Sequence, residues 1–210
     1  VKTRAHATRI LFEGKRATGV EFLTPRGLET ARAGREVIVS GGAYGSPQLL
    51  QLSGVGPAEY LRDMAVNVVH DLPGVGSNLQ DHFNTYCTYR ISRNLSLNSL
   101  QYSFVDRMVA GARYVLLRNG PMTGNGMYVG ALIRSDKRLE RPDIQLNISC
   151  WSTIDRTRDG IISHPFPGIS ISPVHLRPDG RGSVRLHSND PLAPPKIQFN
   201  FLKSDYDLQA

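Results

Sequence analysis

Between Gly41 and Pro57 the chain reads GGAYGSPQLLQLSGVGP. Five glycines and two prolines surround a short apolar run, Leu49, Leu50 and Leu52. Val37, Ile38 and Val39 come just before, with no polar break among them. Such a run suits a strand buried on both faces, as in a parallel sheet packed by helices. Ser46 followed by Pro47 reads as an N-cap and first helical residue. The helix then carries the leucines and ends at Ser53-Gly54, and Gly56-Pro57 opens a second helix, AEYLRDMA. The predicted order is buried strand, glycine turn, helix, glycine turn, helix. In open parallel sheets, ligands sit at the carboxyl ends of strands, in turns of this kind. A residue without Cβ lets backbone approach a ligand, and a helix N-terminus favours phosphate. Glycines that only make tight turns would give the same spacing, and Gly41-Gly42-Ala43-Tyr44-Gly45 lacks the GxGxxG register.

The flanks supply the rest of the organisation. ATRILF, ATGVEFL and LETARA alternate apolar and polar residues between turns at Glu13-Gly14-Lys15, Pro25-Arg26-Gly27 and Gly34. That is a small antiparallel meander leading into EVIVS. After the second helix comes LPGVGSNLQDHFN, where Asn78, Gln80, Asp81 and His82 crowd one turn. Asp81 and His82 form an acid/base pair in principle, but sequence neighbours seldom face one another, and Asn78 and Asp81 also suit local backbone capping. Thr85 to Arg93 alternates as a strand, and Leu100, Phe104, Met108, Ala112 and Val115 recur at helical spacing, which predicts a core-facing helix from Ser99 to Leu117. Strands follow at Tyr128–Ile133, DIQLNIS, Gly168–Val174, SVRLHS and KIQFNF. The class changes near residue 85, so the expected fold is mixed: an α/β part over 1–84, then a mostly antiparallel α+β part over 85–210.

The chain has 210 residues, enough to bury a real core, with 40% hydrophobic and 20% charged residues. A net charge of +7 raises nucleic acid as a partner, but the basic residues are scattered and no Lys/Arg block appears. Nucleic-acid binding is therefore not expected. No apolar run approaches the roughly 18 residues of a membrane span. VKTRAHATRILF has no signal-peptide pattern, and FLKSDYDLQA stops one turn into a helix, so both ends read as cuts through structure of a longer protein. Cys87 and Cys150 are far apart beside apolar or aromatic residues, which fits buried free thiols in a reducing, cytoplasmic compartment.

GAYGSPQLLQLSGVGP resembles the second signature of the glucose–methanol–choline (GMC) oxidoreductases, FAD-dependent enzymes that oxidise alcohols. It agrees at Gly42-Ala43, Ser46-Pro47, the leucine pair and Ser53-Gly54-Val55-Gly56. LPGVGSNLQDH, RILFEGKRATGVEF and RPDGRGSVRLHSNDPLAPPKIQFNFL are similar to further blocks of that family, in the same order. The likeness is to the choline and alcohol dehydrogenase branch, and it implies the cofactor FAD. Residues 1–84 would then belong to a Rossmann-like FAD-binding domain and 85–210 to a substrate-binding domain. Gly41, Gly42 and Ala43 would lie close to the cofactor, the helix from Ser46 would pack behind it, and backbone at Ala7 would contact the adenine. Most family members carry Val at the position of Ala7.

The family's pyrophosphate loop and its His-bearing catalytic segment have no counterpart here, so no catalytic residue is assigned. The resemblance places DIQLNIS and Cys150-Trp151 partly at the substrate pocket. Where relatives often carry a Glu, Gln145 or Asn147 stands, with Asn147 as the substitute. Arg177 matches a position that points toward the substrate side in some relatives; pairing with Asp179 or Asp190 is its structural alternative. Trp151 suits packing as well as recognition, His164 lies near the pocket mouth, and His187 faces solvent. No Glu or Asp lies between Gln145 and Ile154, which tilts the substrate toward a neutral primary alcohol rather than a quaternary ammonium. The electron acceptor, oxygen or a quinone or dye, is left open, as is homo-oligomerisation. Two other classes share these features: a same-fold flavoprotein lyase, and a non-catalytic binding module using the basic surface.

Overall fold

The turns expected between Ala7 and Gly34 do form. The computed structural model describes residues 1–93 and 95–210, with Tyr128 and Arg156 through their backbone. Strands β1 (His6–Glu13), β2 (Arg16–Thr24) and β3 (Gly27–Arg32) pair antiparallel in chain order. Helix α1 (Gly42–Leu52), β4 (Val55–Gly56), α2 (Ala58–Asp63), β5 (His70–Asp71) and β6 (Ser77–Leu79) follow. Next come β7 (Phe83–Asn84), β8 (Cys87–Arg90), α3 (Ser99–Tyr102), α4 (Phe104–Leu117), β9 (Met127–Ile133) and β10 (Ile144–Ser149). Then β11 (Thr153–Thr157) and β12 (Gly160–Ser163) make a hairpin, and β13 (Gly168–His175) follows. The chain ends with β14 (Gly182–Arg185), β15 (Lys196–Gln198) and α5 (Asp205–Gln209). Helices mix with mostly antiparallel sheets, an α+β organisation in which β4 with β5 is the parallel pair.

Two units result: Val1–Asp81 with Gly180–Lys203, and His82–Asp179 with Ser204–Ala210. Residues 180–203 thus return to the first unit, where β14 sits between β15 and β6. Leu52, Leu61 and Leu186 form a buried cluster there, with Tyr60, Met64, Val66 and Val68 packed against it. The polar frame around that cluster is built by α1. Gln51 is fully buried and its Nε2 donates to the Val184 carbonyl at 3.0 Å and to the Pro47 carbonyl at 3.1 Å. Its Oε1 accepts from the Leu186 N–H at 3.4 Å. Ser53 Oγ accepts from the Ile10 N–H at 2.8 Å and donates to the Leu49 carbonyl at 2.6 Å, tying the helix end to edge strand β1. Tyr60 Oη donates to the Leu186 carbonyl at 2.7 Å.

Four expectations about these elements are corrected. Helix α1 begins at Gly42, with Gly41 as its N-cap, so Ser46 and Pro47 lie inside it rather than at its start. Pro47 forfeits one helix bond, and the helix continues around it. The end of the helix is as expected: Gly54 has φ +85° and its N–H donates to the Gln51 carbonyl at 3.0 Å. Residues 36–40 form no strand, because no described residue pairs with their backbone. Val37 and Val39 line a cavity of about 440 Å³ with Ile10, Phe12 and Leu50, while Ile38 is 80% exposed. The helix over 99–117 breaks at Ser103, whose extended backbone and side chain cap α4 by accepting from the Asp106 N–H at 3.1 Å. Helix α4 does not face the core with its large apolar side. It buries Ala110 and leaves Phe104, Met108 and Val115 exposed, since apolar spacing marks a face without specifying what covers it.

In the second unit the main sheet runs β7, β13, β10, β9, with β8 also paired to β13. Asn147 stands opposite Ser172, and Thr88 opposite Ser170, so these side chains share one face. Ile148 and Ile171 stand on the other. Among the described residues, no helix is long and apolar enough to cross a membrane.

Replacing Gln51 by Met would keep its length but remove the donor to Val184 and the acceptor for Leu186. The expected loss is about 1–3 kcal/mol of unfolding free energy, measured by urea titration with far-UV circular dichroism. An unchanged midpoint would show that this amide does not hold the first unit together.

Candidate cofactor and substrate sites

The first candidate site is the N-terminal end of α1. Gly41, Gly42, Ala43 and Tyr44 are exposed, and no side chain among the described residues caps the helix start. The amides of the first turn have no partners within a helix, so this end presents donors outward. Gly42 has φ +76°, a conformation that favours glycine, and a Cβ there would meet nothing within 4 Å. At Gly41 a Cβ would approach the Ser46 nitrogen to 3.0 Å. Local backbone geometry therefore favours glycine at 42 and leaves little room for a side chain at 41, while the exposed donors suit an anionic or polar group. Ser46 is half-buried in the second turn. Ala7 is exposed on edge strand β1, beside a bulge between Ala7 and Arg9.

The second candidate site is a cavity of about 310 Å³ in the second unit. The sheet contributes Thr88 and Ser170, with Tyr86 beside them, and Trp151, Thr153, Ile154 and Asp155 complete the lining. Trp151 is seated by Gly126: a Cβ at that glycine, whose φ is +79°, would lie 2.0 Å from the indole. Asn147 occupies the same sheet face as Thr88 and Ser170 and accepts from Gln145 Nε2 at 2.8 Å. Arg177 lies beyond β13, exposed, with its Nε donating to the Pro142 carbonyl at 3.4 Å. It lines no part of this cavity, and its partner is a carbonyl rather than the expected Asp179 or Asp190. His164 is half-buried with Nδ1 3.2 Å from Ser152 Oγ, and His187 is exposed. His82 is exposed at the start of the second unit.

Asp155 was not legible as a site residue. It lies one position past the segment 145–154 whose lack of acid favoured a neutral alcohol, yet it shares the cavity with Trp151 and Tyr86. That placement removes the basis for the neutral-alcohol preference. Burial pushes the Cys150 thiol up, away from thiolate chemistry.

A buried polar cluster also escaped the sequence, since its members come from distant segments. Asp143 accepts from the Ser135 N–H at 2.8 Å, Ser135 Oγ at 2.6 Å and Tyr206 Oη at 3.0 Å. His175 Nε2 lies 3.2 Å from Asp207 Oδ1, which also accepts from the Asp179 N–H at 2.7 Å. Together these contacts dock α5. Burial raises the Asp143 carboxyl, but the three donors outweigh it and leave its pKa below the ordinary value. Burial and the bond to Asp143 push Tyr206 up.

Three comparisons bear on identity. Residues 1–84 match the model of the GMC oxidoreductase family. The chain is 40% identical over 211 residues to the oxygen-dependent choline dehydrogenase of Pseudomonas aeruginosa (strain LESB58), covering 100% of this chain and 37% of that protein. It is 37% identical over 207 residues to the oxygen-dependent choline dehydrogenase of Stenotrophomonas maltophilia (strain R551-3), covering 99% and 36%. The formate oxidase of Aspergillus oryzae RIB40 superposes with a TM-score of 0.83 at 24% identity, over 98% of this chain and 40% of that one. Pyridoxine 4-oxidase from Mesorbium loti gives 0.75 at 21%, over 97% and 35%. These structural likenesses concern the fold. The chain is similar to GMC oxidoreductases along its whole length, with residues 1–84 matching the family model, and it spans little more than a third of the length of the curated relatives it matches.

Two outcomes test the second unit. Gly126→Ala should displace the indole of Trp151, the single tryptophan of the chain, and shift its fluorescence emission; an unchanged spectrum would contradict the packing. Asp143 has a lowered folded pKa, so its stabilisation is present above the unfolded value of about 3.9 and is lost as pH falls through the folded one. Tyr206→Phe removes one donor, so acid unfolding of α5, followed by amide exchange, should begin at higher pH than in the unmodified protein. Coincident acid transitions would contradict that coupling.

Proposed function

We propose that this chain is a segment of an FAD-dependent oxidoreductase that converts a primary alcohol to an aldehyde, with choline-type alcohols as the substrate class. The observation that carries the reading is the alignment of the whole chain, at 40% identity, with a choline dehydrogenase. Residues 1–84 are assigned to the FAD-binding domain and 85–210 to the substrate-binding domain, with 180–203 packing back on the first. Gly41, Gly42 and Ala43 would lie against FAD, with Ser46 in the supporting helix and Ala7 backbone at the adenine. The exposed, uncapped start of α1 supports this, because it offers N–H donors to a dianionic ligand. When bound, FAD supplies the hydride acceptor.

The unpaired apolar segment 36–40 and the exposed side of α4 await partners, and we assign these to the parts of the longer relatives that this chain does not span. Trp151 is assigned to the substrate side, with Asn147 on the sheet face that also carries Thr88 and Ser170; Arg177, held to the Pro142 carbonyl outside the cavity, is not. The cavity lined by Trp151, Tyr86 and Asp155 would orient the alcohol, since two aromatic residues and an acid are the residue types that suit an ammonium group. Cytoplasmic residence is proposed from the two free cysteines, of which Cys87 is exposed rather than buried as expected. Oxygen is the acceptor to test first, given the names of the relatives.

The test uses the full-length polypeptide carrying this chain, loaded with FAD. Choline should reduce the flavin with kcat/KM about tenfold above that for 3,3-dimethylbutan-1-ol, its neutral isostere, the scale of a cation–π contact. Asp155→Asn should narrow that ratio. Equal rates for the two alcohols would overturn the substrate class, and no flavin reduction by any alcohol would overturn the function.

A further inference from the structure

The hairpin β11–β12 stands apart from the sheet beside it. Its two strands pair with each other and with no other strand among the described residues. An isolated two-stranded ribbon is marginal in water, so something else must hold it. Side chains from the segment before α4 do so. Asn98, 2% exposed, sits between the two ends of the hairpin. Its Oδ1 accepts from the Ser152 N–H at 2.9 Å where the chain enters. Its Nδ2 donates to Ser152 Oγ at 2.8 Å, and to the His164 and Phe166 carbonyls at 3.0 and 2.9 Å where the chain leaves. Further out, Gln101 Nε2 donates to the Ile161 carbonyl at 2.6 Å, and its Oε1 accepts from the Ser163 N–H at 2.7 Å. Tyr102 Oη donates to the Ser163 carbonyl.

This is the architecture of a hinge. Both ends converge on one buried amide, and the body of the hairpin has no ladder to the sheet. Ile154, Ile161 and Ile162 are exposed on it. Its first strand and approach, Trp151, Thr153, Ile154 and Asp155, line the cavity together with Thr88 and Ser170 of the sheet. Movement about Asn98 requires the Gln101 and Tyr102 bonds to release β12, and it would then shift Thr153, Ile154 and Asp155 while Trp151 stays seated on Gly126.

We propose that β11–β12 is a flap hinged at Asn98 that opens the Trp151 cavity to admit the alcohol and closes to retain it. The proposal rests on the reading of that cavity as the substrate site. Asn98 and Gln101 are positioning residues: they set the flap and touch no substrate. Elements of this kind come from the low-stability end of a fold, and their loosening changes substrate retention more than chemistry.

The experiment is hydrogen exchange with stopped-flow flavin reduction, on the FAD-loaded full-length protein. Amides of 153–163 should exchange faster than those of 144–149 and 168–175, and saturating choline should slow them. Gln101→Ala should speed hairpin exchange about tenfold, equivalent to about 1.4 kcal/mol, leaving the neighbouring strands unchanged. It should raise KM for choline several-fold without changing the limiting rate of flavin reduction. Asn98→Ala should act in the same direction and more strongly; if it fails to fold, Gln101→Ala decides. Hairpin exchange as slow as the sheet, or faster exchange with KM unmoved, overturns the flap. If the protein reduces flavin with no alcohol, the functional reading fails, and the exchange rates of Gln101→Ala still decide whether the hairpin is hinged.

Discussion

The buried carboxamide of Gln51 is the constraint on which the first unit depends. A primary amide has two donors and an oxygen acceptor, and burial is tolerable only when they are used. Gln51 spends them on two strands of contact with residues 184–186 and on its own helix. That fixes α1 against a segment more than a hundred residues away in sequence. Ser53 then fixes the helix end to β1 through the Ile10 amide. With both held, the direction of the helix start is set, and with it the position of the exposed backbone at 41–43. The glycines serve the bend itself, and the bend leaves donors facing outward.

The second unit uses the same device twice. Asn98 gathers the two ends of an excursion that has no ladder of its own, and Asp143 gathers Ser135 and Tyr206 to dock α5. In each case one fully engaged polar side chain replaces a sheet or a core. Such nodes are specific because every lone pair and proton has a geometric demand. They are also local, so a hairpin hung from one can move while the sheet beside it stays paired. The apolar elements, by contrast, are left partly uncovered: Ile38 and the outer side of α4 present apolar area to solvent.

Much of the local structure was legible. The meander followed from alternation and from Gly14 and Gly27, both at positive φ in the turns. The end of α1 followed from Ser53-Gly54. Its start did not, because Ser46-Pro47 imitates a cap and nothing local reveals that the helix has already begun. The hairpin at 153–163 was missed because TIDRTRDGIIS mixes charge with apolar residues and shows no clear alternation. Of the candidate sites, the glycine bend and Trp151 were proposed from motif and residue type. Asp155, Asn98 and the Asp143 cluster were not, because most of their partners lie far away in sequence and only the fold brings them together. Arg177 shows the converse: a residue conspicuous in sequence can end in a plain backbone contact.

The central claim is that the outward-facing amides at the start of α1 lie against a flavin nucleotide. Residue-resolved hydrogen exchange of the full-length protein, with FAD bound and after its removal, addresses it directly. The account predicts marked protection of amides 41–45 by the flavin, with those of β2 and β3 unaffected. Identical exchange at 41–45 in the two states would contradict it.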